Sequence, residues 1–185
     1  MRLNIPNVLT VARIAAIPLL VAVYYLPLSL AAQNVAATAI FIVAALTDWL
    51  DGYLARRLGE STAFGAFLDP VADKLLVAAA LVMLVQLGRV DALIALVIIG
   101  REITISALRE WMAQLGQLSS VAVHKLGKFK TAAQLVAIPM LLYYDRLLGI
   151  DCAVLGTWLI WVATLLTIWS MFYYLRCAWP TIRSS

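Results

Sequence analysis

Apolar residues run along this chain in long blocks, and the polar positions collect in short stretches between them. Six blocks can be marked, at 10–28, 35–56, 65–87, 92–112, 128–148 and 152–175. Each comes close to or exceeds the ~18–20 apolar residues that cross a hydrocarbon core, and each predicts a transmembrane helix. Residues 1–9 (MRLNIPNVL) are more polar and are broken by Pro6, which suits a short segment along the membrane interface. The links at 28–34, 88–91 and 149–152 are brief, whereas the turn 57–64 and the loop 113–127 are polar. The expected architecture is all-α: an integral membrane bundle of six transmembrane helices with a short N-terminal interfacial segment, forming one domain over 1–185.

Composition sharpens this reading. Hydrophobic residues make up 64% of the chain and charged residues only 13%, far too apolar a balance for a soluble domain. The formal charge of +4 therefore points to cytoplasmic loops and anionic headgroups rather than to nucleic acid. The first block lacks a small-residue cleavage site and is expected to be the first span rather than a secretory leader. Lysines and arginines gather in the N-terminus, the 57–64 turn, the 113–127 loop and the tail, while the opposite links hold only Arg89 and Arg146. The positive-inside rule then puts both termini in the cytoplasm of a bacterial inner-membrane protein. Cys152 and Cys177 lie about 37 Å apart on a straight helix, too far to pair within one subunit.

The chemistry concentrates between residues 48 and 73, which hold four aspartates at helical spacings among the chain's ten acids. Asp48, Asp51, Gly52 and Ala55 share one helical stripe; Gly65, Asp69 and Asp73 share another. Each charge placed in mid-span costs on the order of 2.5–3.5 kcal/mol. Ordinary readings exist for each acid: Asp48 and Asp51 pairing with Arg56 or Arg57, Asp69 capping a helix that starts at Pro70, Asp73 pairing with Lys74. They account poorly for the set, because like charges at these spacings repel on a bare helix. Small residues beside facing carboxylates suit a cage for hard divalent cations with a phosphate close by. Pro70 either starts a helix or kinks one that began near Gly65.

The pattern D-x2-D-G-x2-A-R-x8-G-x3-D-x3-D, filled by Asp48, Asp51, Gly52, Ala55, Arg56, Gly65, Asp69 and Asp73, resembles the signature of the CDP-alcohol phosphotransferase family at every fixed position. The resemblance implies a six-helix membrane enzyme, commonly a homodimer, that displaces CMP from a CDP-linked lipid or alcohol using two divalent cations, Mg2+ or Mn2+. Three further segments, NIPNVLTVAR (4–13), GREITISALREW (100–111) and GKFKTAAQ (127–134), are similar to the bacterial branch of the family that joins CDP-diacylglycerol to sn-glycerol 3-phosphate. Inositol phosphate, serine or phosphatidylglycerol are the alternative acceptors for the same chemistry.

By that resemblance Asp48, Asp51 and Asp69 ligate one metal, and Asp48, Asp69 and Asp73 serve the second. Asp73 is also the expected general base for the acceptor hydroxyl. The nucleotide and its phosphates are expected along the stripe of Gly52, Ala55 and Arg56, with Gly65, and by family analogy touch Asn7, Thr10 and Thr62. A phosphorylated acceptor needs cations of its own, and Arg101, Arg109, Lys128 and Lys130 are the candidates. For Arg101 the alternative is a pair with Glu102 or Asp73; for Lys128 and Lys130 it is topology signalling alone. Trp158, Trp161, Trp169, Tyr143 and Tyr144 read as anchoring and packing. Two other classes compete. A cation transporter places its ligands near the midplane within paired half-repeats, and neither feature is visible here. An aspartate-rich prenyltransferase leaves the glycine and Ala-Arg positions unexplained.

Overall fold

Every apolar block folds as a helix. The computed structural model describes residues 5–58, 63–114 and 125–184, as α1 (Ile5–Val23), α2 (Leu30–Leu58), α3 (Ala63–Gln86), α4 (Ala92–Gln114), α5 (Lys125–Tyr143), a two-stranded hairpin of β1 (Arg146–Leu147) and β2 (Ile150–Asp151), and α6 (Cys152–Ser184). Among the described residues two stretches are long and apolar enough to cross a membrane, Leu30–Asp48 and Cys152–Arg176. Val8–Val23 and Phe129–Tyr143 are shorter apolar helices. Charge also falls within the lengths of α3, at Asp69, Asp73 and Lys74, and of α4, at Arg101, Glu102, Arg109 and Glu110.

Several boundaries differ from those read off the sequence, each for a local reason. Pro6 sits in the first turn of α1, where its missing N–H costs nothing, so 5–9 continue into the first helix rather than forming a separate segment. Pro70 lies inside α3, not at its start, and removes the bond to the carbonyl four residues back without ending the helix. α5 stops at Tyr143 because Tyr144 turns to φ 58°. The chain then makes a tight hairpin through Leu148 (φ 51°) and Gly149 (φ 84°), pairing Arg146 with Asp151 and Leu147 with Ile150. Two successive positive φ angles match the right-handed twist of a two-residue hairpin.

The even-numbered helices all start at one end of the bundle and are capped there by short polar side chains. The Ala32 amide donates to Ser29 Oγ (3.3 Å), Leu93 to Asp91 Oδ1 (2.7 Å) and Val154 to Asp151 Oδ1 (3.1 Å). At the same end α3 closes in a Schellman motif. The Arg89 amide reaches the Leu84 carbonyl and the Gly88 amide that of Val85, with Gly88 at φ 68°.

The core runs through Leu20, Phe41, Leu76, Leu84, Ile98 and Ile138, where α1–α5 meet. α6 packs on α5 through Gly156, where a Cβ would come within 2.9 Å of Leu141 Cγ. The hydroxyls of α6 turn back on their own helix, Thr164 to the Ile160 carbonyl and Thr167 to that of Ala163. A second, smaller apolar cluster of Ile105, Met112 and Tyr174 joins α4 to α6.

Candidate active site

The other end of the bundle is where the charged residues meet. α1 clasps both carboxylate-bearing helices from one face. Thr10 Oγ1 donates to Asp69 Oδ1 at 2.5 Å, and three residues on, Arg13 Nη1 stands 2.6 Å from Asp48 Oδ1. Arg13 is completely buried, yet Asp48 keeps 43% of its side chain exposed. A guanidinium taken out of water against a carboxylate left partly in it fixes that carboxylate in place.

Asp48, Asp69 and Asp73 lie close enough for Asp48 to interact electrostatically with each of the other two. Asp73 has no hydrogen bond or ion pair among the described residues, and it lines a cleft of about 50 Å³ with Glu102, Thr131 and Gln134. Among the described residues no three carboxylate, imidazole or thiolate groups converge closely enough to hold a metal by themselves. Asp51, Gly52, Ala55 and Arg56 lie on the C-terminal part of α2, with side chains outside the described residues, as is that of Asn7 on α1. Thr62 lies outside them altogether, and Gly65 is buried on α3.

The cations form a second group, built from α4, α5 and α6. Lys130, on the first turns of α5, is 1% exposed and bonds Glu102 Oε1. Arg101 Nη1 reaches the same oxygen at 3.2 Å, so the pair with Glu102 weighed for Arg101 is present. Arg101 Nη2 donates to Ser170 Oγ (3.2 Å), and Arg109 Nη2 to Tyr174 Oη (3.1 Å). Lys130 also lies within electrostatic reach of both arginines. Three of the four cations expected at an acceptor site thus share one region, Lys130 and Arg101 buried and Arg109 half-buried; the side chain of Lys128, on α5, is outside the described residues. Glu102, which bonds Lys130 and Arg101, also lines the cleft beside Asp73, and so links this group to it.

An apolar groove of about 550 Å³ opens between α2 and α5, from Leu135 past Ile42 and Met140 to the hairpin at Leu147. Leu135 also lines the cleft that holds Asp73, so the two spaces adjoin.

A family profile described as CDP-alcohol phosphatidyltransferase matches residues 3–169, nine-tenths of the chain. The chain belongs to the CDP-alcohol phosphatidyltransferase family. Curated relatives agree along nearly the whole length. Proteins of Escherichia coli K12 and Shigella flexneri serotype 5b are 52% identical over 180 residues, covering 96% of this chain and 96% of their own. A protein of Salmonella choleraesuis is 51% identical over the same coverage. All three are named CDP-diacylglycerol–glycerol-3-phosphate 3-phosphatidyltransferase.

Within this CDP-alcohol phosphatidyltransferase, three contributors to the charged end escaped the sequence reading. Arg13 stood inside a segment noted only for resemblance, and a charge within an apolar run was the available signal. Ser170 and Tyr174 lie beyond the matched span, in a helix that reads as merely apolar.

Proposed function

We propose that this chain transfers the phosphatidyl group of CDP-diacylglycerol to sn-glycerol 3-phosphate, releasing CMP and forming phosphatidylglycerol phosphate. The observation that carries the reading is the near-complete match, at about half identity, to relatives named for that reaction. The site accords with it chemically: a carboxylate with no hydrogen bond or ion pair among the described residues faces a cleft also lined by Glu102, which bonds the buried cations Lys130 and Arg101.

The donor set at 48, 51, 69 and 73 is all carboxylate oxygen, and the described members interact electrostatically, which fits hard divalent cations. Mg2+ or Mn2+ held there would supply charge neutralisation on the pyrophosphate and on the departing CMP. The chain's own residues do the rest. Arg13 and Thr10 hold Asp48 and Asp69 in orientation. Arg56, with Gly52, Ala55 and Gly65 leaving room for close approach, takes the nucleotide phosphates, and Asn7 and Thr62 border the nucleotide. Lys130, Arg101, Arg109 and Lys128 hold the acceptor's phosphate. Asp73 accepts the proton of the acceptor's C1 hydroxyl as that oxygen bonds to the lipid-side phosphorus and the bond to the CMP oxygen breaks. The adjoining groove between α2 and α5 takes an acyl chain of the donor. The cationic group favours an acceptor that carries phosphate over serine.

The six helices are read as six crossings with both termini and the site on the cytoplasmic face, in a homodimer. The test is CMP release by the purified chain with CDP-diacylglycerol, Mg2+ and a panel of acceptors. Release only with sn-glycerol 3-phosphate, stopped by EDTA and restored by Mg2+ or Mn2+, is expected. Turnover with another alcohol overturns the acceptor assignment, and turnover in EDTA overturns the role of the carboxylates.

A further inference from the structure

The last helix contributes more than apolar surface. Tyr174 is 1% exposed, and two guanidinium groups lie against its ring, with Arg101 Cζ 5.6 Å and Arg109 Cζ 5.3 Å from the ring centroid. Its hydroxyl accepts the hydrogen bond from Arg109 Nη2. One turn earlier, Ser170 donates its own hydroxyl proton to the Thr167 carbonyl (2.9 Å), which turns its lone pairs toward Arg101 Nη2. Two like charges gathered at one ring repel, and the negative face of that ring offsets the repulsion. Both Arg101 Nε and Arg109 Nε are buried with no hydrogen-bond partner among the described residues. Such orphaned donors are uncommon and mark an arrangement completed by something else.

We infer that Tyr174, assisted by Ser170, is a positioning residue for the acceptor: it holds Arg101 and Arg109 in the orientation that receives the acceptor's phosphate. The inference rests on the reading, given above, that these two arginines bind that phosphate. A phosphate held by two pre-oriented guanidinium forks binds more tightly than one that must first gather them from alternative rotamers, because the ordering cost is already met. Tyr174 touches no reacting atom, so its effect belongs in acceptor affinity and not in the chemical step. The matched family span ends at residue 169, so this part of the site lies outside it.

The experiment is steady-state kinetics on the purified full-length chain with both substrates varied. Tyr174→Phe keeps the ring and removes the hydrogen bond to Arg109. It is expected to raise the KM for sn-glycerol 3-phosphate roughly 3–10-fold, while kcat and the KM for CDP-diacylglycerol stay within twofold. Tyr174→Leu removes the ring as well and is expected to raise that KM about 10–100-fold. The inhibition constant of inorganic phosphate, competing with the acceptor, is expected to rise in parallel. Equal rises in both KM values, or an unchanged acceptor KM in Tyr174→Phe, overturn the inference. Should the leucine variant melt early, the phenylalanine variant decides alone. Arg109→Ala separates the two levels. If it leaves the acceptor KM unchanged, the acceptor-site reading itself fails; if it raises that KM and Tyr174→Phe does not, only the role of Tyr174 fails.

Discussion

The two ends of this bundle use buried cations in opposite ways. At the end where the hairpin lies, Arg89 is closed in by its own protein. Nη1 donates to the carbonyls of Leu141 (3.0 Å) and Leu142 (2.8 Å), Nη2 donates to Asn34 Oδ1 (2.8 Å), and the guanidinium lies 4.4 Å from the centre of the Tyr144 ring. Those carbonyls are orphans of the α5 C-terminus, so one side chain ends α5, ties it to α2 and follows directly on the Schellman turn of α3. At the other end, among the described residues, Arg101 and Arg109 each keep a buried donor unfilled, and Asp73 faces a cleft with no hydrogen bond or ion pair. A cation satisfied by its own backbone is a fastener. Cations and carboxylates left incomplete at one end of the bundle are a site.

The largest effect that tests this contrast is at Asp73. Asp73→Asn keeps size and polarity and removes the charge that accepts the proton, so kcat is expected to fall by about 10²–10⁴-fold. Binding of CDP-diacylglycerol, measured by equilibrium dialysis with labelled lipid in micelles, is expected to persist. A variant that loses binding and melts early would assign Asp73 to the fold and erase the difference between the ends.

How much of this was readable in advance follows from the range of each interaction. The helices were legible because apolar blocks report on lipid or core one residue at a time. Asp48, Asp51, Asp69 and Asp73 were legible because helical spacing is local. The hairpin was not, since it depends on positive φ angles at Tyr144 and Leu148, residue types that rarely take them. Arg89 read as one of two charges on a short link, because its acceptors lie more than fifty residues away. The same holds for Lys130 with Glu102, 28 residues apart, and for Arg109 with Tyr174, 65 apart. Periodicity placed these residues on helices, but which helix faced which was decided by packing.

Arg89 supplies the next test, with a loss of stability rather than of activity. Arg89→Met retains bulk and apolar stem but abandons three acceptors, two of them main-chain carbonyls at a buried helix end. Destabilisation of roughly 2–4 kcal/mol is expected, read as a lower melting temperature in detergent. In the folded fraction kcat and both KM values are expected to match the parent. A selective rise in the acceptor KM would mean that the two ends are coupled and that Arg89 is more than a fastener.

The smallest effect sits at Thr10, where the clasp of α1 meets the carboxylates. Thr10→Val is close to isosteric and removes the hydroxyl that donates to Asp69. One hydrogen bond to a charged group contributes about 1.5–3 kcal/mol, and the exposed side of the site lets water replace part of it. A three- to tenfold loss in kcat/KM for CDP-diacylglycerol is therefore expected, and Thr10→Ser is expected to recover most of it. Because the bond orients an oxygen of the proposed metal cage, the Mg2+ concentration for half-maximal rate is expected to rise with the loss. A loss of kcat/KM that leaves the Mg2+ dependence unmoved would place the hydroxyl on the nucleotide instead. No loss in the valine variant would reduce the contact to packing, and Arg13 alone would then carry the grip of α1 on this end of the bundle.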